Sequence, residues 1–179
     1  MDALSGPFRE IAVPVRIFGD LRSALAKEAG PLPAIHALHA AGYSVGVAAA
    51  EAFKASADED VMDLAEEAFW TRLGSFFARR GWGHLRHEAL HEAVGTLVSS
   101  DWAEPGDERD ADASCTFSTG FLSGLLTTLA GGPVAALEVS CRARGDEQCS
   151  FAFGNPTAIH ELYGQLLEGA DLRGALASL

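Results

Sequence analysis

Apolar positions recur at helical spacing through the first half of the chain and alternate at strand spacing in much of the second. Residues 19–30 predict a helix with Asp20 as its cap, Leu21 and Leu25 inward and Gly30 as its stop. Residues 31–53 predict a long helix of small residues. On it Gly42 and Gly46 share a face, so another helix or a sheet can approach its backbone closely. An acidic connection at 57–60, with Asp58 or Asp60 as cap, leads into a helix predicted over 61–80. That helix carries Met62, Ala65, Phe69, Leu73 and Phe76 on one stripe and Trp70 with Phe77 beside it. A stripe so broad and aromatic suits either a core or the wall of an apolar cavity.

Further along, residues 93–102 are strand-like and 104–113 form a charged, solvated loop. Phe117, Phe121, Leu122, Leu125, Leu126 and Leu129 mark a helix over 116–130, stopped by Gly131, Gly132 and Pro133. Residues 133–141 and 148–154 read as the strands of a hairpin whose loop is 142–148. Asn155-Pro156 is an N-cap and N1 pair opening a helix with Ile159, Leu162, Tyr163, Leu166 and Leu167 inward, and 171–179 is a short closing helix.

Composition narrows the function classes. With 179 residues and 48% hydrophobic content the chain suits one globular domain, residues 1–179, with 1–18 as an N-terminal extension. A net charge of −12 with only 13 Lys plus Arg excludes nucleic acid and anionic membranes as main partners. The uncharged stretches 31–50 and 115–137 lack the run of strongly apolar residues that a membrane span needs, so both read as buried core helices. Residues 1–14 lack a secretory pattern, and a cytoplasmic protein is expected. No glycine loop for phosphates is visible, which gives a nucleotide cofactor no support.

All three cysteines, Cys115, Cys141 and Cys149, lie between residues 115 and 153, where Glu138 is stranded in an uncharged run. Three thiolates and a carboxylate suit tetrahedral zinc, and four protein ligands make a structural rather than a catalytic site. Strict alternation puts Glu138 and Cys141 on opposite faces of their strand, so a common ion requires a bulge near Ser140. Buried cysteines acting as small hydrophobes, or a Cys141–Cys149 disulfide, are the competing readings.

A rival site is His87-Glu88-Ala89-Leu90-His91, a formal His-Glu-x-x-His match. On a helix, His87 and His91 would hold catalytic zinc and Glu88 would activate water. Gly81, Gly83 and Gly95 confine the segment, and the Gly-x-x-His continuation of one such class is absent. His36 and His39, one turn apart on the long helix, are a weaker pair.

The string Cys115-x4-Gly120-Phe-Leu-x-Gly124-Leu-Leu followed by Glu138-x2-Cys141-x-Ala143-x-Gly145-Asp146-x2-Cys149-x-Phe151 resembles the 4-vinyl reductase domain family, with Gly42-Tyr43-x2-Gly46 and Gly81-Trp82-Gly83 as further matching positions. That family comprises predicted hydrocarbon-binding proteins, sensor domains of bacterial regulators and accessory proteins of bacteriochlorophyll synthesis, and is related in fold to small TRAPP subunits. The resemblance implies structural zinc on Cys115, Glu138, Cys141 and Cys149. It also implies a β-hairpin across 83–102 in place of a zinc-protease helix. The fold expected is therefore α+β, a four-stranded antiparallel sheet from residues 83–90, 94–102, 133–141 and 148–154 packed by helices. The resemblance further implies a cavity for a small hydrophobic molecule, aromatic, tetrapyrrole or lipid-like, at Phe69, Trp70, Leu73, Phe77, Trp82, Phe117 and Phe121. A non-enzymatic, zinc-containing sensor or carrier, homodimeric and signalling through a partner regulator, is the leading expectation. A dimerising adaptor and a metallopeptidase are the alternatives.

Overall fold

The computed structural model of the protein describes residues 9–56, 61–106, 109–110 and 113–179. Its elements are α1 (Ile17–Ala29), α2 (Pro31–Ala55), α3 (Glu66–Ala78), β1 (Arg86–Ala89), β2 (Val94–Ser99), α4 (Thr116–Ala130), β3 (Ala135–Ser140), β4 (Cys149–Gly154), α5 (Pro156–Leu167) and α6 (Leu172–Ala177). The four strands form one antiparallel sheet in the order β1-β2-β4-β3, the α+β architecture expected.

Alternation along the strands divides the apolar residues between two faces. Leu97, Cys149 and Phe151 face a core built with α2, α3 and α4, whereas Val94, Ala152 and Leu137 face α5 and α6. The outer edge of β3 is covered by hydroxyls of α4: Ser123 Oγ accepts from the Ala136 amide at 2.9 Å and Thr127 Oγ1 from that of Val134 at 2.9 Å. Exposed edge amides invite pairing with other chains, and these hydroxyls remove that opportunity along part of β3.

Helices α2 and α4 meet backbone to backbone, and four glycines make this possible. A Cβ on Gly42 would lie 2.1 Å from the Phe117 carbonyl oxygen and one on Gly46 2.1 Å from that of Phe121, while Gly120 and Gly124 admit the carbonyls of His39 and Tyr43 in return. Small residues at this spacing let the two backbones touch. Caps fix the later helices: Asn155 Oδ1 accepts from Thr157 N at 2.8 Å, and Gly131, at φ 65°, closes α4.

Several expectations are corrected. The helix predicted over 61–80 is a short 3₁₀ turn at Val61–Asp63 and then α3 from Glu66, which leaves Met62 48% exposed. The first helix begins at Ile17, with Asp20 inside its first turn paired to Arg16, and Leu21 is exposed. Tyr163 and Leu167 likewise face outward on α5. The long helix α2 buries one stripe only and exposes Leu32, Ile35, Tyr43, Val45 and Val47. The acidic connection at 57–60 and its proposed caps lie outside the described residues.

Candidate functional site

The bulge required by the alternation pattern is present. Glu138 pairs with Phe151 and Ser140 with Ser150, so β3 spends one extra residue there and Cys141 turns to the face of Glu138. Cys115 immediately precedes α4 and Cys149 opens β4. The ligand atoms of Cys115, Glu138, Cys141 and Cys149 all lie within 4.8 Å of one another. The three cysteines are fully buried free thiols, with the Cys115 and Cys149 sulfurs 4.0 Å apart. That separation is about twice a disulfide bond and close to the ~3.8 Å edge of a tetrahedron with metal–sulfur arms of ~2.3 Å.

The surrounding polar groups make the donor set fit a cation. Glu138 Oε2 accepts from the Cys115 amide at 3.0 Å and lies 3.7 Å from Arg144 Nη1, while its buried Oε1 has no hydrogen-bond partner. A buried oxygen so placed is satisfied by an ion in the same pocket. Burial raises the Glu138 pKa to about 7. Hydrogen bonding with Cys141 and Cys149, together with burial, drives the Cys115 thiol up, and the hydrogen bond from Cys115 draws Cys149 down to about 4. The crowded sulfurs thus share a proton with thiolate character at Cys149, and a divalent cation can replace such protons. Outside the ligands, Asp146 Oδ2 accepts from the Cys141 amide at 2.7 Å and Gly145, at φ 108°, turns the loop between them. These four residues can bind a metal ion. One side of the corner opens on a cavity of about 600 Å³, where His36, His39 and Arg144 join Cys115 and Glu138. The histidine pair is not part of the four-residue ligand cluster.

The acidic surroundings of Glu104 suggest a solvated loop, yet this residue is 4% exposed. It caps α4, accepting from the amides of Phe117 at 2.9 Å and Ser118 at 2.6 Å and from the Ser118 hydroxyl, which also accepts from Trp102 Nε1 at 2.8 Å. Burial pushes its carboxyl up to about 7 against the pull of these donors. Nothing in the spacing announces this cap, because Glu104 lies 12 residues before the first residue of the helix it serves.

The aromatic positions gather in the helical core. Phe77, Trp82, Phe117 and Phe121 are linked through ring contacts, with the Trp82 and Phe117 planes 8° apart. Phe18 and Trp102, which sequence reasoning missed, extend this cluster. Phe69 and Trp70 pack at 4.9 Å near β1, while Leu73 and Phe77 are fully buried. Trp82 and Phe121 line a cavity of about 350 Å³, and Trp70 lines a separate one of about 500 Å³.

The His-Glu-x-x-His reading is corrected by β1. His87 and Glu88 lie on this strand and His91 on the turn after it, so four residues no longer equal one helical turn. His87 stacks on Trp70 at 4.3 Å, and His91 Nδ1 accepts from the Ala93 amide.

Residues 107–155 match the 4-vinyl reductase domain, bearing out the resemblance seen in the cysteine segment. No curated protein matches the sequence. The fold is similar to that of the phenol-responsive sensory domain of the transcription activator PoxR with phenol, at TM-score 0.67 and 16% identity over 83% of this chain and 77% of that one. It is also similar to trafficking protein particle complex subunit 3 from Naegleria fowleri covalently bound to palmitic acid, at TM-score 0.63 and 13% identity over 78% and 91%. A vinyl-4-reductase family protein from Methanocaldococcus jannaschii gives TM-score 0.53 and 16% identity over 80% and 82%. Among the described residues no helix is long and apolar enough to cross a membrane.

Proposed function

From a chain that matches the 4-vinyl reductase domain over residues 107–155, we propose a single non-catalytic binding module for a small hydrophobic molecule, its sheet and helices pinned together by structural zinc. The observation that carries the zinc assignment is the meeting of three buried thiols and Glu138, whose Oε1 is otherwise unsatisfied. Soft sulfur with one carboxylate oxygen, closed and without room for water, favours zinc over harder divalent ions. Zinc would tie the start of α4 to the β3–β4 hairpin, so its binding energy would be part of the folding energy. The ligand reading rests on the aromatic cluster around Trp82, Phe117 and Phe121, with Phe69, Trp70, Leu73 and Phe77 behind it. It is supported by the phenol-responsive neighbour, which has the same fold.

A homodimer fits the same account. Residues 31–50 carry no charged side chain in a protein of net charge −12, yet Leu32, Ile35 and Val47 are exposed on α2. A second copy could cover this face without like-charge repulsion. Native mass spectrometry of the purified protein tests the whole reading. A zinc-bearing dimer that releases an apolar compound on denaturation is expected, and an assembly that neither carries nor takes up such a compound supports a dimerising adaptor instead.

A further inference from the structure

The 350 Å³ cavity has an apolar floor of Val45, Ala49, Phe76, Trp82 and Phe121, and an ion pair at its mouth. Arg80 Nε donates to Glu10 Oε1 at 2.6 Å, and both side chains are 20% exposed. The guanidinium lies 3.6 Å over the Phe76 ring, and its Nη1 donates to the Phe76 carbonyl at 3.1 Å. Arg80 is therefore held in place from α3 independently of its acidic partner.

Glu10 is held quite differently. It belongs to an irregular segment, residues 9–13, that makes no backbone hydrogen bond among the described residues, and the neighbouring Ile11 is 86% exposed. A carboxylate on such a segment can leave its partner at little structural cost. An arginine deprived of its acid beside aromatic walls is a ready receptor for another planar carboxylate. Arg9, Glu10 and Arg80 give the lining a formal charge of +1 in a protein of −12, which favours an anion there. The volume is more than twice the ~150 Å³ that accepts benzene in an apolar cavity, so one or two fused rings fit.

We propose that this cavity binds a small aromatic carboxylate, its ring against Trp82 and Phe121 and its carboxylate on Arg80 in place of Glu10. This rests on the hydrophobic-ligand reading above and adds to it the charge of the ligand and the competing internal acid. Glu10 then acts as a built-in competitor whose removal strengthens binding.

The test is calorimetric titration with 2-naphthoate and 2-naphthol, which share a ring system and differ in charge at pH 7, against wild type, Glu10→Gln and Arg80→Gln. Naphthoate is expected to bind wild type at least tenfold more tightly than naphthol. Glu10→Gln should tighten naphthoate roughly tenfold and leave naphthol unchanged, in keeping with the greater strength of charge-assisted bonds. Arg80→Gln should abolish the preference; should it fail to fold, Glu10→Gln decides alone. Equal binding of the two compounds, unmoved by Glu10→Gln, would overturn the carboxylate assignment and leave a hydrophobic site standing. Binding of neither would overturn both readings.

Discussion

Replacing Gly46 by alanine sets two known effects against each other, and the geometry decides between them. In an exposed helix interior Gly→Ala stabilises by about 1 kcal/mol, through propensity and a less flexible unfolded chain. At Gly46 the new methyl would lie 2.1 Å from the Phe121 carbonyl oxygen and 2.9 Å from the Leu125 amide nitrogen. Ordinary contact begins near 3.4 Å, so α2 and α4 must part by more than about 1 Å along a seam where four glycines interlock. Overpacking of this kind costs about 1–3 kcal/mol, and here it meets rigid backbone rather than a yielding side chain. A net loss of about 2 kcal/mol is expected, seen as a fall in melting temperature of roughly 4–8 °C for a chain of this length. Gly164→Ala is the control: it sits inside α5 with nothing within 4 Å of the added methyl, and should stabilise by about 0.5–1 kcal/mol. If Gly46→Ala and Gly164→Ala shift the thermal transition equally and upward, the backbone contact between α2 and α4 is not as described.

Three further outcomes are expected. Glu104, raised to about 7 by burial, makes the folded state hold more protons than the unfolded one between about pH 4.5 and 7. Its contribution is therefore fully present below the unfolded pKa and lost as pH rises through 7, on the order of 2–3 kcal/mol. Urea denaturation of wild type and Glu104→Gln at pH 5 and pH 7.5 should show a smaller pH-dependent loss in the variant, and parallel losses would contradict the assignment. Asn155→Ala should cost about 1 kcal/mol in the same assay, as expected for a lost helix cap. His87→Ala should leave bound metal unchanged, because His87 stacks on Trp70 and lies outside the ligand cluster; loss of metal would restore the His-Glu-x-x-His reading.

What could be read before the structure was seen depended on whether the signal was local. Gly131 after an apolar helical run, Asn155 before Pro156 and the glycine pair on α2 each act within a few residues, and each appears where the pattern placed it. The bulge was legible as a conflict, since four metal-binding side chains could converge only if alternation failed near Ser140. Glu104 was not legible: an acidic loop and a buried cap have the same composition, and only the tertiary approach of residue 104 to the Phe117 and Ser118 amides distinguishes them. The same is true of the late start of α3 and the outward turn of Leu21, where tertiary packing overrode a periodic pattern. At residues 87–91 the pattern suits a helix as well as a strand, and pairing with β2 settles the matter.

The account turns on metal in the corner formed by Cys115, Glu138, Cys141 and Cys149. Elemental analysis of protein purified without added metal, in wild type and Cys141→Ser side by side, addresses it directly. One zinc per chain in the wild type, falling at least tenfold in the variant together with a lower melting temperature, is the predicted result. Metal-free wild-type protein, or a Cys141→Ser protein that keeps its zinc and its stability, would contradict it.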